Sequence, residues 1–282
     1  MIKKRLAKDK IIFWSICILA VLTAVPLLAI LGEVFFRGYD QLTWSFFTEP
    51  TPTAYKAMKA IEAGEPIPGG IANGIIGTML MLGMAAVVAI PMGILCGAFL
   101  AENSKNHFAQ TVSYLTDLLQ GTPSVIIGII TYVWVVVPMK GYSAIAGSVA
   151  LCIMMMPLII RSTEETLKIL PASLKEAGLA LGGNCARVMM KVQLPAAFGG
   201  IFTGVLLAIS RVIGETAPLM FTALGCSLIR WSIDKPMSAV PLLIWEFFND
   251  PNLQDLIWGA SLFLLLFVLV LNITAKYIKG TL

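Results

Sequence analysis

The sequence predicts an all-α integral membrane protein of six transmembrane helices, with a structured cytoplasmic loop between the fourth and fifth. Three observations carry this. At 58% hydrophobic and 13% charged, with mean hydropathy +0.86, the 282 residues are too apolar for a soluble domain. The apolar runs are long and continuous rather than alternating, which fits helices that satisfy their own backbone groups in lipid and does not fit a barrel. The charged residues collect in the gaps between the runs, and their signs are unevenly shared between the two sides.

Crossing about 30 Å of hydrocarbon takes roughly 20 apolar residues. The first run, about Ile11–Leu31, follows Lys3, Lys4, Arg5, Lys8 and Lys10. A signal peptide has a shorter apolar core and a small-residue cleavage site, so an uncleaved first span starting in the cytoplasm is expected. Gly32–Gly70 is a proline-rich exterior loop, and residues 1–70 read as an anchor span plus this loop. Residues 71–282 read as a multi-span membrane core. Its spans are about Ile75–Leu100, Pro123–Val137, Tyr142–Ile160, Gly199–Leu224 and Leu256–Tyr277. The third is short. It follows Ser104–Gln120, an amphipathic segment with Phe108, Val112, Leu115 and Leu119 at helical spacing, expected to lie along the membrane surface and to break at Gly121-Thr122-Pro123. Gly93-x-x-x-Gly97 and Gly200-x-x-x-Gly204-x-x-x-Ala208 are small-residue repeats suited to close helix packing.

With these spans, and with Lys276 at the end of the last one counted inside, the cytoplasmic pieces hold thirteen of the twenty basic residues and the exterior pieces nine of the sixteen acidic ones. That asymmetry places both termini inside. The stretch Glu176–Pro195 is then cytoplasmic, and Gly225–Asp255, with Trp231 and Trp245, is exterior.

The cytoplasmic stretch is patterned. Ser173-Leu-Lys-Glu176 fits a capping box that starts a short helix running to Leu181. Ala177, Gly178 and Ala180 give that helix a small-residue surface, and Gly182-Gly183 permits the left-handed turn that ends it. Asn184 can cap a second helix, terminated at Leu194-Pro195. The product is a short helix held out from the membrane, a surface for a soluble partner, where the bland alternative is an ordinary hairpin.

The fifth span carries a charge, Arg211, with Glu215 four residues on and therefore on the same helix face. A charge at mid-membrane costs about 2.5–3.5 kcal/mol on insertion scales. The face continues through Gly204, Ala208 and Thr222, opposite an apolar stripe of Phe202, Leu206, Ile209, Ile213 and Met220. Pro218 crowds the carbonyl of Gly214, so a kink or local opening is expected beside the pair, with Gly214 and Pro218 as hinge. Two readings stand. Either Arg211 and Glu215 are an ion pair fastening helices, or Arg211 presents its guanidinium fork to tetrahedral oxygens while Glu215 holds it.

Other chemistry finds little support. The cysteines, Cys17, Cys96, Cys152, Cys185 and Cys226, form no CxxC, and His107 is the only histidine, so neither a metal centre nor a His-based triad is predicted. There is no GxxxxGK[ST] run, so any ATP must be bound by another subunit. Asp117 reads as a solvated interface charge, and Glu164 and Glu165 as a solvated face.

Two stretches carry a resemblance. Glu176-Ala-Gly, three residues, Gly182, nine residues, Val192-Gln-Leu-Pro195 resembles the coupling loop of MetI-like ABC importer permeases, departing from it at Gly178 and Val192. Thr203–Leu219, with its core Arg211-x-x-Gly-Glu-Thr-Ala-Pro218, resembles the signature of phosphate permeases of the PstA and PstC kind. Phe47-Thr-Glu49 and Gly69–Thr78 agree with the PstA side. The resemblance implies a multi-pass inner-membrane subunit, without catalytic residues, of an ATP-driven phosphate importer. It implies Arg211, Glu215 and Thr216 on the phosphate path, and Glu176, Ala177, Gly178 and Gly182 in contact with the ATPase. The implied partners are a homologous permease subunit (PstC-like), two ATPase subunits (PstB-like), an exterior phosphate-binding protein (PstS-like), phosphate and lipid, and no nucleic acid. Sulfate or molybdate as substrate, or a self-contained anion channel, are the alternatives.

Overall fold

The computed structural model describes residues 2–65 and 67–281. In chain order, α1 (Ile2–Tyr39) is followed by the short helices α2 (Trp44–Thr48) and α3 (Ala54–Ala63) and by α4 (Ala72–Glu102). Next come α5 (His107–Gly121) and α6 (Ser124–Thr131), which continues through one π-helical turn into α7 (Val137–Met139), and then α8 (Ala144–Ile169). The loop expected to be cytoplasmic holds α9 (Ala172–Ala180), α10 (Cys185–Val188), a second π-helical turn and α11 (Leu194–Ala196). The chain closes with α12 (Phe198–Ile213), α13 (Ala217–Thr222), α14 (Val240–Asn249) and α15 (Asp255–Thr281). The described residues hold helices and no strand.

Four helices, α1, α4, α8 and α15, are long and apolar enough to cross a membrane, and two bent pairs bring the number to six. The α5–α6 pair bends by 105° at Thr122-Pro123, where the sequence predicts the break. The second pair bends by 72° at Ala197, between the cytoplasmic loop and α12. The fifth span differs from expectation. It does not run unbroken from Gly199 to Leu224 but stops at Ile213 after 16 residues, about 24 Å, and restarts at Ala217.

Proline explains both π-helical turns. Tyr132–Val136 and Met189–Gln193 stand immediately before Val137-Pro138 and Leu194-Pro195. A proline donates no hydrogen bond and crowds the carbonyl four residues back. The chain answers by widening: Val137 and Leu194 donate to Tyr132 and Met189, five residues earlier. Pro195 therefore does not terminate the second loop helix as the sequence suggests; the helix passes it and turns at Ala197.

The centre is α8, buried far more deeply than the other long helices. Both small-residue repeats seat on it. A methyl on Gly93 would lie 2.7 Å from the Ile159 side chain, and one on Gly97 2.5 Å from the Ile160 carbonyl. From the other side, a methyl on Gly200 would meet Thr166 at 2.4 Å and one on Gly204 would meet Ser162 at 1.7 Å. So α4 and α12 approach α8 at backbone distance, with Met81, Ala85, Ala89, Met155, Ile159 and Ala208 closing the core around them.

The exterior ends are stapled together. The amide and hydroxyl of Thr51 donate to Asn73 Oδ1 (3.1 and 3.0 Å), and Asn73 Nδ2 donates to the Cys226 carbonyl (2.8 Å). The Val240 amide donates to Thr78 Oγ1 (3.0 Å). An apolar cluster of Phe46, Ile71, Leu243, Phe247 and Leu256 lies beside these bonds. In contrast, α1 touches little besides α15: Gly38 meets the Trp258 carbonyl and Leu262, and the Arg37 guanidinium lies 4.9 Å over the Trp258 ring.

Candidate functional site

The cytoplasmic loop is a built object. Leu170 and Pro171 are extended, as the residue before a proline prefers, and α9 begins at Ala172. The predicted capping box is absent. The N-cap is Pro171, no side chain caps the end, and Ser173 lies inside the helix, because the extended Leu170-Pro171 pair starts the helix two residues earlier. The other end follows the sequence closely. Gly182 is left-handed (φ +81°), Gly183 N–H donates to the Gly178 carbonyl (3.2 Å) and Gly182 N–H to the Leu179 carbonyl (2.9 Å), a Schellman closure. Asn184 Oδ1 accepts from the Arg187 amide (2.8 Å) and opens α10.

Gly178, one of the departures from the family loop, is filled from within. A methyl there would lie 2.9 Å from Val188, the one buried side chain of α10. Lys175 pairs with Glu102 at the end of α4, tying α9 to the membrane core. Glu176 and Ala177 are exposed, and Leu181 at the tip is 91% exposed.

Arg211 stands in the last turn of α12, where the helix C-terminus favours a cation. The interruption beside it is complete. Gly214 caps α12, the Glu215 amide donates back to the Val212 carbonyl (3.1 Å), and Thr216 precedes α13. Pro218 takes the second position of α13, where its missing N–H costs nothing. It packs on α6: a methyl on Gly128 would lie 2.8 Å from Pro218 Cα.

This geometry corrects two expectations. Glu215 lies beyond the helix end, so it does not share a helical face with Arg211, and the two form no ion pair; among the described residues the Arg211 side chain has no hydrogen-bonding or ionic partner. Gly204 and Ala208 are buried, Gly204 against α8, whereas Arg211 lies on the exposed side with Leu207 and Gly214. The small stripe is for packing, and the charge is one step round the helix from it. Arg211 borders a narrow crevice with Leu119, Gln120 and Thr122 of the α5–α6 bend and Pro157 and Leu158 of α8.

A second charged cluster lies one helical turn further along the same seam. Arg161 donates from Nε to Asp117 Oδ1 (2.9 Å) and from Nη2 to the Ser113 carbonyl and hydroxyl (2.8 Å each). Its Nη1 donates to Glu164 Oε2 (2.6 Å), and Lys168 Nζ donates to Glu164 Oε1 (2.6 Å). The Glu164 side chain is only 8% exposed, so it does not belong to a solvated face; only Glu165 does. Asp117 is likewise paired rather than simply solvated. The sequence held one usable signal: Arg161, Glu164 and Lys168 stand at helical spacing.

The larger hollows are not anion sites. A crevice of about 740 Å³ between α4 and the start of α12 is lined by apolar side chains such as Ile90, Ile94, Phe198 and Phe202. A cleft of about 540 Å³ at the other end of the molecule from the α9 loop is lined by Asp40, Glu49, Glu65 and Asp255. On the same side, the Glu246 carboxyl of α14 presses against the Gly225 turn, where any Cβ would fall 2.1 Å from Oε1, and burial pushes it up to about 7.

Residues 89–281 match the family described as binding-protein-dependent transport system inner membrane component. The phosphate transport system permease protein PstA of Yersinia pestis is 38% identical over 89% of this chain and 83% of its own length. The probable PstA permease of Methanocaldococcus jannaschii is 31% identical over 97% and 94%. Among solved structures, the inward-facing MetNI methionine ABC transporter superposes with TM-score 0.63 at 18% identity, covering 74% of this chain and 94% of that one. A bacterial alginate ABC transporter, in complex with a periplasmic protein bound to alginate pentasaccharide, gives 0.66 at 11% identity, covering 98% and 96%. At such identities the structural likeness speaks for the fold.

Proposed function

Because the chain belongs to the family of binding-protein-dependent transport system inner membrane components, we propose that it is the permease subunit of an ATP-driven phosphate importer. The observation that carries the reading is Arg211: a guanidinium without a counter-ion, set at a break in the fifth span. A buried fastener would have a partner. An arginine that receives an oxyanion is left open, its donors matched to two oxygens at once. The substrate follows from the relatives, which are named phosphate permeases.

The mechanism is alternating access. A homologous permease completes the pathway, two ATPase subunits bind ATP on the inside, and a phosphate-binding protein delivers from outside. Glu176, Ala177, Gly178 and Gly182 form the face or turn that the ATPase moves. The displacement reaches α12 through the 72° joint at Ala197 and exposes Arg211, Glu215 and Thr216 to one side and then the other, with Gly214 and Pro218 as hinge. Both termini lie in the cytoplasm, on the side richer in lysine and arginine. A self-contained channel leaves the loop without a use.

The test is ATP-dependent phosphate uptake by the reconstituted complex, with ATP hydrolysis recorded alongside. Arg211→Gln should lower uptake by about tenfold or more, since a hydrogen bond to a charged group contributes about 1.5–3 kcal/mol, while assembly and hydrolysis persist. Unchanged uptake would remove Arg211 from the path. Competition by sulfate and molybdate tests the substrate: inhibition equal to that by phosphate would sink the phosphate reading.

A further inference from the structure

The ion pair Asp117–Arg161 and the crevice of Arg211 share one seam between α5 and α8. On α8, the crevice residues Pro157 and Leu158 stand four and three residues before Arg161, on its face of the helix. On α5, Gln120 stands three residues after Asp117 and also lines the crevice. A shift of one helical turn is about 5 Å along the axis. Asp117 is thus the carboxylate nearest in register to the crevice on both helices, and its side chain is still 58% exposed. An unrestrained aspartate there would be a competitor: it could take the Arg211 guanidinium for itself and repel an approaching anion. Arg161 prevents this. Two of its nitrogens lie on Asp117 Oδ1, and its remaining donors go to Ser113 and Glu164, which fix the guanidinium in place. Glu164 in turn is balanced by Lys168. The cluster of Asp117, Arg161, Glu164 and Lys168 is neutral as a whole, while Arg211 above it keeps its full charge.

We propose that Arg161 is a positioning residue that holds Asp117 away from Arg211, so that the path arginine meets phosphate without competition from Asp117. This rests on the function proposed above. Arg161 itself does not touch the substrate. Its effect on transport runs through Asp117, and removing Asp117 makes Arg161 dispensable for the transport step.

The test uses the complete importer in liposomes, loaded with saturating binding protein, with complex assembly and ATP hydrolysis measured on each preparation. Arg161→Gln should cut phosphate uptake about tenfold with the complex still assembled. Asp117→Asn alone should stay within about twofold of wild type, and Arg161→Gln with Asp117→Asn should return to that level. A simple clamp between α5 and α8 behaves differently, because Asp117→Asn would open it and lower assembly and uptake by itself. The inference is overturned if Asp117→Asn is as impaired as Arg161→Gln, if the double variant is not restored, or if Arg161→Gln transports normally. Should the wild-type complex carry sulfate or molybdate instead of phosphate, the substrate reading falls, and the same comparison run with the transported anion still decides the role of Arg161.

Discussion

At the scale of single residues, environment sorts the charged side chains into three kinds. Arg211 is unpartnered, Arg161 is saturated, and Glu246 is a carboxyl packed against backbone without a counter-ion. The last has a pH signature. Its carboxyl is raised from its ordinary 4.5 to about 7 by burial, so the fold favours the protonated form. Its contribution is fully present below about pH 4.5, where folded and unfolded chains are both protonated, and is lost as the pH rises through about 7. Glu246→Gln, which stays neutral, should melt progressively higher than wild type from about pH 5 to pH 8 in thermal unfolding in nanodiscs. A gap between the two that does not change with pH would show that the carboxyl is solvated. Arg211 was legible in the sequence because an arginine inside an apolar run announces itself. The cluster around Arg161 was not, since its α5 partners Asp117 and Ser113 lie 44 and 48 residues away and only the folded α5–α8 contact joins them.

At the scale of elements, proline and glycine positions decide where helices end, widen and touch. The closing turn of α9 and the cap of α10 follow directly from Gly182-Gly183-Asn184, because a left-handed residue and an Asn cap are local demands. The start of α9 is different. A capping box is one of two local solutions there, and Leu170-Pro171 supplies the other. The interruption of the fifth span was legible as a kink or local opening at Gly214, because a proline marks a disturbed helix without saying whether the helix bends or restarts. The contact of α12 with α8 gives a sharp prediction. At Gly204 an added methyl meets both the hydroxyl (1.7 Å) and the Cβ (2.3 Å) of Ser162, so rotating the serine does not relieve it. Gly204→Ala should destabilise the chain by about 1–3 kcal/mol through forced separation of the helices. Gly83→Ala, at a position facing open space, is the control and should be neutral or better. Equal melting temperatures for the two variants would contradict the close approach.

At the scale of the whole molecule, the spans and the structured loop between the fourth and fifth were readable from hydropathy, but their arrangement was not. Nothing in the two small-residue repeats says that both dock on the same helix; that follows from α8 standing between α4 and α12. The same arrangement leaves the α9 loop projecting with Leu181 almost fully exposed. Leu181→Glu should leave the stability of the isolated chain within about 0.5 kcal/mol, as exposed substitutions do, yet abolish co-purification of the ATPase subunits. Retention of the ATPase would move the contact away from the tip. The opposite face imposes its own condition. Asp40, Glu49, Glu65 and Asp255 line the cleft there, and their field extends roughly 8–10 Å at physiological ionic strength. On the function proposed above, a bare dianion nearing that cleft meets four carboxylates. An anion handed over already enclosed by a binding protein would not feel them before its release, so this surface suits delivery better than free diffusion.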